Sequence, residues 1–222
     1  MKIAIDGPAG AGKSTISKAA AKKLDFIYID TGAMYRAVGL AAIRAGVDTT
    51  DHDGVKSILG GVDVSISHAE DGLQQIFLNG ENVSEEIRLP EVSVAASNVA
   101  VIPEVRLKLV ELQRELANKA SVIMDGRDIG TYVLPDAEVK IFLTASVDER
   151  ARRRCKELLE KGVETDIEAV KADMEYRDKN DSSRDFAPLR PAEDSVLLDN
   201  TDMTIEQAVD RICELAKAIE EK

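Results

Sequence analysis

The sequence has no tryptophan and only two histidines, and aromatic residues make up just 4% of its 222 positions. A core without large rings must be filled by Ile, Leu, Val and Ala. There is enough of these, since hydrophobic residues reach 44% and charged residues 32%, an ordinary globular balance. Two cysteines, Cys155 and Cys213, are too few for a disulfide framework and suit a reducing compartment. Both read as small apolar side chains on helices. Nothing approaches the roughly 18 consecutive apolar residues of a membrane-spanning helix. The N-terminus lacks a basic segment followed by an apolar one, so the expectation is a soluble, cytosolic protein. Positive charge is also in deficit: 29 Lys and Arg against 41 Asp and Glu leave a formal net charge of −12. Such a surface repels nucleic-acid polymers and anionic membranes. A small anion is not excluded, because a local basic pocket can hold it. Where the arginines fall therefore matters more than the average.

What the chain does have appears at once. After Met1 and Lys2 the sequence reads IAIDGPAGAGKSTISKAA. Residues 3–6 fit a buried strand, and 13–24 fit a helix with Ile16, Ala19, Ala20, Ala21 and Leu24 near helical spacing. Between them Gly7, Gly12, Lys13 and Ser14 match G-x-x-x-x-G-K-[ST], the P-loop. A phosphate chain needs several backbone N–H groups aimed at it together. Small residues let the main chain wrap closely enough to do so, and the helix start adds free N–H groups and the positive end of its dipole. Gly7, Pro8, Ala9, Gly10, Ala11, Gly12, Lys13, Ser14 and Thr15 are the expected donor-phosphate contacts. Lys13 is placed to reach the β- and γ-phosphates, and Ser14 to offer a hydroxyl to Mg²⁺. A Gly-rich turn without a ligand is the plainer alternative; the strand-to-helix context argues against it.

The pattern then alternates. Residues 26–30 read as a strand, 31–45 as a helix ended by Gly46, and 51–59 as a short helix. Residues 62–67 and 74–88 alternate apolar and polar around turns at 69–72 and Asn79-Gly80. They form an expected small antiparallel insertion over 62–88, of the kind that shapes a substrate pocket. Helical patterns return at 91–100 and 104–118. Strands follow at 121–125, 139–145 and 195–199, with a helical stretch over roughly 147–180 and a terminal helix over 204–221. Strands separated by helices give an α/β fold: a parallel five-stranded sheet flanked by helices in one domain over 1–222, with a lid region over 150–190. Ligands in such sheets bind at the carboxyl ends of strands, so Asp6, Asp30 and Asp125 should meet at one edge.

The arginines go beyond what one phosphate chain needs. Arg36 and Arg127 lie in strand-end loops, and the 147–190 stretch carries Arg150, Arg152, Arg153, Arg154, Arg177, Arg184 and Arg190. A planar guanidinium fork binds phosphate bidentately. On one helix Arg150, Arg153 and Arg154 share a side and Arg152 points elsewhere. The polar, proline-broken segment 177–191 reads as a mobile flap that excludes water, in preference to a plain surface linker. No nucleophile or acid–base dyad stands out, and His52 and His68 sit in polar, turn-like settings. Transfer to an already ionised phosphate needs positioning and charge neutralisation but no protein base, so a phosphate acceptor is favoured. A sugar hydroxyl served by Asp6, Asp30, Asp125 or Asp128 stays open.

Taken together, IDGPAGAGKST, IDTGAMYR, the 62–88 insertion, IPEVR, MDGRDIGT, FLTAS and YRDKNDSSR resemble the bacterial cytidylate kinases, in order and nearly end to end. The resemblance implies ATP and CMP, or dCMP, as substrates, Mg²⁺ as cofactor, and CDP and ADP as products. It implies Thr31, Tyr35 and Arg36 at the acceptor nucleotide. Ser97, Arg106, Asp128 and Arg184 would read cytosine, and Asp181 would touch the sugar hydroxyls. Arg127 and Arg177 would act as phosphate clamps, with Arg153 on adenine or the donor phosphates. Asp125 would hold Mg²⁺ together with Ser14. A carboxylate accepting from cytosine N4, with an arginine donating to N3 or O2, disfavours uracil, which reverses the first two groups. Two rivals remain. A small P-loop kinase for shikimate, a nucleoside or dTMP shares the first motif alone. A nucleotide-gated module that hydrolyses ATP slowly and signals through a partner protein is the non-metabolic alternative. Nothing in the sequence demands more than a monomer.

Overall fold

A computed structural model of the chain describes residues 1–69, 72, 74–160 and 162–220. Strand β1 (Lys2–Asp6) leads through the Gly-rich turn into helix α1 (Lys13–Leu24) and strand β2 (Ile27–Asp30). Helices α2 (Thr31–Arg44) and α3 (His52–Ile58) precede a separate group of strands, β3 (Val64–His68), β4 (Gln74–Leu78) and β5 (Glu81–Asn82). Helices α4 (Pro90–Val99) and α5 (Pro103–Ala117) each start on a proline, whose missing N–H is not needed in a first turn. Strands β6 (Val122–Gly126) and β7 (Val139–Thr144), helices α6 (Val147–Glu160) and α7 (Ile167–Ser183), strand β8 (Val196–Asp199) and helix α8 (Ile205–Glu220) complete the chain.

The five long-range strands pair in parallel in the order β2–β6–β1–β7–β8, as the alternating pattern predicts. Both faces are covered. Ile3, Ile5 and Ile141 pack with Ile16 and Ala20 of α1 and Ala208, Ile212 and Ala216 of α8. Ala4, Ile29 and Met124 face the other way, toward Val110 of α5 and Val133. Each buried Ile or Val contributes about 1.5–3 kcal/mol, so these two layers carry a large share of the hydrophobic stabilisation. Helix α8 starts on a reciprocal cap: Thr204 Oγ1 accepts from Gln207 N at 3.2 Å, and Gln207 Oε1 accepts from Thr204 N at 2.9 Å.

The second sheet, β3–β4–β5, is antiparallel. It packs with α2, α4 and α5 around Met34, Val38, Ile76, Leu78, Val99 and Leu109. The expected Asn79-Gly80 turn joins β4 to β5, with Asn79 at φ 51 and Gly80 at φ 82. Part of the 69–72 turn lies outside the described residues. Alternation past Asn82 does not continue as strand; Glu86–Arg88 form a short 3₁₀ turn.

Two expectations need correction near the chain's polar centre. The helical stretch over 147–180 is two helices, α6 and α7, with Asp166 capping the second by accepting from the N–H groups of Glu168 and Ala169. Residues 177–183, read as the start of a flap, are the last two turns of α7. A third feature carried no sequence signal: Ile129–Val133, after β6, form a π-helical turn, a distortion that often marks functional sites.

Candidate active site

Asp6 and Asp30 end β1 and β2, and Asp125 is the next-to-last residue of β6; Asp30 lies opposite Asp125 and Asp6 opposite Gly126. A cavity of about 750 Å³ opens along this rim. Its donor end is the Gly-rich turn. Gly7, at φ 153, lies so close to β7 that an added Cβ would sit 1.9 Å from the Leu143 carbonyl oxygen; no other residue fits. Gly12 precedes α1 in the left-handed conformation, with no side chain capping the helix. The first-turn N–H groups of α1 are therefore free to face an anion. Gly10 through Thr15 line the cavity, whereas Gly7, Pro8 and Ala9 support it from behind. The Lys13 amine donates to the carbonyls of Gly7 at 2.8 Å and Pro8 at 2.7 Å. Burial, and then the nearby Arg127, push its pKa well below the usual lysine value. An anion there would relieve both.

Beside the turn, Ser14 Oγ donates to Asp125 Oδ2 at 3.0 Å, and Tyr28 Oη donates to Asp125 Oδ1 at 2.9 Å. Burial, followed by the charge of Asp30, pushes Asp125 up to about 6, with Lys13 opposing. A hydroxyl and a carboxylate side by side, in a place where negative charge is crowded, fit a hard divalent cation of the Mg²⁺ kind. Mg²⁺ takes few protein ligands and completes its shell with water and phosphate.

The middle of the cavity is a wall of guanidinium groups. Arg36, Arg127 and Arg177 line it. Burial lowers the pKa of Arg177, and Arg127 and Arg36 lower it further. Arg36 is pushed down by burial, with Asp30 opposing and Arg88 and Arg127 adding to the effect. Burial also acts against the charge of Arg127, but Asp181 outweighs it and holds that group above its usual value, through an Nε bond to Asp181 Oδ2 at 2.6 Å. Arg36 Nη1 is buried without a hydrogen-bond partner. Guanidinium groups stay charged, so this wall is set for an anion.

The far end is a buried polar pocket. Arg106, 1% exposed, pairs with Asp128 Oδ2 and donates to the Ala100 carbonyl at 3.2 Å. Arg184 Nη2 reaches Asp128 Oδ1 at 3.4 Å and its Nη1 lies 3.7 Å from Asp181. Tyr35 lies under Arg106, 5.4 Å from ring centroid to guanidinium carbon. Ser97 lines the same end, with Asn180 Nδ2 at 3.5 Å. Asp6, a rim carboxylate, holds this end in place by accepting from the N–H groups of Ile129 at 2.7 Å and Gly130 at 2.8 Å, just past Asp128.

The structure thus brings nearly all the candidate side chains to one cavity. Thr31 lines it too, but its hydroxyl donates inward to the Asp125 carbonyl at 2.7 Å. Arg153 lines the donor end with every nitrogen engaged: Nε on Glu149, Nη1 and Nη2 on Asn200, and Nη2 also near the Thr201 carbonyl. It braces the 200–201 loop and aims no free fork at a phosphate. Arg152 is exposed, as helical spacing predicts. Sequence reasoning missed Asn200, whose Nδ2 donates to the Ala11 carbonyl at 2.9 Å, and Arg88, which lines the wall and reaches Asp30 at 3.3 Å. It also missed Asp178, bonded to Ala9. An Asn directly after a parallel strand was the one available signal.

A Gly-rich turn at a strand–helix junction, facing an arginine wall and then a buried polar pocket, defines a P-loop kinase that moves phosphate between two anions. A family model described as cytidylate kinase matches residues 3–218. The cytidylate kinases of Caldicellulosiruptor saccharolyticus and Carboxydothermus hydrogenoformans are 53% and 51% identical to this chain over 215 residues. Those matches cover 97% of this chain and 95% and 96% of theirs. The chain belongs to the cytidylate kinase family. In fold it is similar to an uncharacterized protein from Eubacterium ventriosum at a TM-score of 0.52 and 14% identity, over 100% of this chain and 99% of that one.

Proposed function

We propose how this chain's residues divide the work of a cytidylate kinase, the transfer of the γ-phosphoryl group from ATP to CMP. The observation that carries the proposal is the wall of Arg36, Arg127 and Arg177 between the P-loop and the buried Arg106–Asp128 pocket. ATP phosphates lie on the main chain of Gly10–Thr15, with Lys13 turning from the loop carbonyls to the transferred group. CMP lies at the other end. Asp128 accepts from cytosine N4, Arg106 and Ser97 serve N3 and O2, and Tyr35 packs under the base. Arg184 orients Asp128, Asp181 takes the ribose hydroxyls, and Arg36 grips the CMP phosphate. Thr31 shapes the wall beside Arg36.

Arg127 and Arg177 lie where the two phosphates meet. Their charge offsets the repulsion of the approaching anions and the charge spread over the equatorial oxygens in the transition state. The acceptor is already ionised, so no side chain needs to remove a proton. Ser14 and Asp125 are the residues suited to hold Mg²⁺, which when bound neutralises phosphate charge. Arg153 closes the donor end through Asn200.

We further propose that 62–88 forms the acceptor-side insertion and 150–190 a lid within one kinase domain. One copy supplies both ends of the cavity, which supports a monomeric working unit. Among the described residues no helix is long and apolar enough to cross a membrane, and Cys155 and Cys213 are unpaired, in keeping with a reducing cytoplasm. The test is turnover with ATP, Mg²⁺ and each nucleoside monophosphate. CMP and dCMP should be the preferred acceptors; faster turnover of UMP or dTMP overturns the reading.

A further inference from the structure

Two main-chain groups of the phosphate-binding turn are held by side chains that do not line the cavity. The Ala9 N–H donates to Asp178 Oδ1 at 2.8 Å, and Arg150 Nη1 donates to the Ala9 carbonyl at 2.7 Å. The two side chains also pair, Arg150 Nη1 with Asp178 Oδ2 at 2.6 Å, and Arg150 Nε donates to the Ala145 carbonyl just past β7 at 3.1 Å. Apolar contact backs this up: Met174, one turn before Asp178 on α7, packs with Ala9, Ala151 and Val170. A methyl group at Gly10 would meet Met174 Cε at 2.6 Å. The donor loop is thus bound to α6 and α7 by both its N–H and its C=O at one residue.

Asp178 shares α7 with Arg177 and Asp181, and Arg184 caps the helix end. Residues three apart lie on one helix face about 5–6 Å from each other. The group that holds the donor loop and the groups that face the acceptor are therefore neighbours on one rigid turn. We infer that Arg150 and Asp178 are positioning residues that couple the two substrate sites. An acceptor held by Arg177, Asp181 and Arg184 fixes α7, and α7 fixes the Ala9 peptide and with it the amides of the loop. The coupling is reciprocal, since linkage requires each ligand to tighten the other by the same factor. The inference rests on the kinase reading above, because it needs a nucleoside monophosphate at the far end.

Calorimetric titration tests it with a non-hydrolysable ATP analogue and Mg²⁺, with and without saturating CMP, and with CMP alone. In the wild type CMP should tighten the analogue by about fivefold or more, the usual range for coupled sites. In Asp178→Ala and in Arg150→Met that factor should fall below about twofold, while Kd for CMP alone stays within about threefold. The double variant should lose no more than either single one, because the two act as a unit. Asp178→Asn keeps an acceptor for the Ala9 N–H, serves if the alanine variant does not fold, and should retain an intermediate factor. Variants that couple like the wild type, or a wild type whose sites bind independently, overturn the inference. A wild type that neither binds nor phosphorylates CMP overturns the kinase reading instead.

Discussion

Helices α7 and α8 are nearly equal in length, 17 and 16 residues, yet they bury opposite chemistries. Helix α8 lays Ala208, Val209, Ile212, Cys213 and Ala216 on the sheet, a stripe with ordinary amphipathic spacing. Helix α7 buries Val170 and Met174 in its first half, then turns Asp181 inward with Arg177 and Asp178 half-buried beside it. One helix packs on hydrocarbon and exists to complete a core. The other packs on hydrocarbon only in its first half; its second half borders the cavity, and there its inner face is charged. Burial without hydrophobicity marks the working region of this chain.

Substitution should separate the two. The largest effect is expected at Lys13→Ala, which removes the amine that donates to the Gly7 and Pro8 carbonyls and that, on the proposed reading, turns to the transferred phosphate. Loss of such a group lowers kcat by about 10²–10³-fold. The fold should survive, because among the described residues the Lys13 amine donates only to two carbonyls of its own loop and the side chain belongs to none of the apolar clusters. Steady-state rates and a thermal melt on the same sample check both halves; near-normal CMP turnover removes Lys13 from the chemistry. Ile212→Ala on α8 should do the reverse. This fully buried side chain leaves a cavity worth about 2–5 kcal/mol, and for a chain of this size each kcal/mol lowers Tm by roughly 2–4 °C. KM for CMP and ATP should not move. A shift in either KM would mean that α8 is not purely structural.

That contrast also explains what could be read beforehand. Strands β1, β6 and β7 and helix α8 follow from hydrophobic period alone, because their surroundings are apolar. The P-loop was legible because phosphate binding forces a backbone shape, visible as glycine spacing. The break between α6 and α7, marked only by Gly162 and the capping Asp166, and the helical run to Ser183 were not, because past Met174 the inner face of α7 satisfies charge with charge and shows no apolar stripe. Arg106, and the pairing of Asp128 with it, emerged only through resemblance: they lie 22 residues apart on α5 and just past β6, and no local spacing joins them. Asp178 and Asn200 stayed hidden for another reason. Each acts on a main-chain group of the turn, and such partnerships leave no trace in side-chain pattern beyond the place of Asn200 directly after β8.

A smaller effect should sharpen the comparison inside the polar pocket. Asp128→Asn keeps the volume but replaces one acceptor oxygen with a donor NH₂, which suits uracil O4 better than cytosine N4. The ratio of kcat/KM for CMP over UMP should fall by about 10–100-fold, the worth of one or two mismatched buried hydrogen bonds. An unchanged ratio takes Asp128 out of base reading.

The smallest expected effect tests whether the buried charge of this region is held against the fold's own preference. Asp6 is buried, and burial above all, with Asp128 adding, pushes its pKa from 3.8 up to about 7, against the two N–H groups of Gly130 and Ile129 and the charge of Lys13. A folded-state pKa above the unfolded one means that the folded protein keeps a proton the unfolded chain releases. The associated stability is fully present below pH about 4 and is lost as pH rises through about 7. Asp6→Asn holds the neutral shape at every pH. It loses one acceptor, so it should lower Tm by a few degrees at pH 5, where the wild-type carboxyl is protonated. The gap should narrow by pH 8, where the wild type carries an unwelcome charge. Melting both proteins across this range reads the sign directly. A gap that widens with pH would mean that the two backbone N–H groups outweigh burial and that Asp6 is ionised throughout.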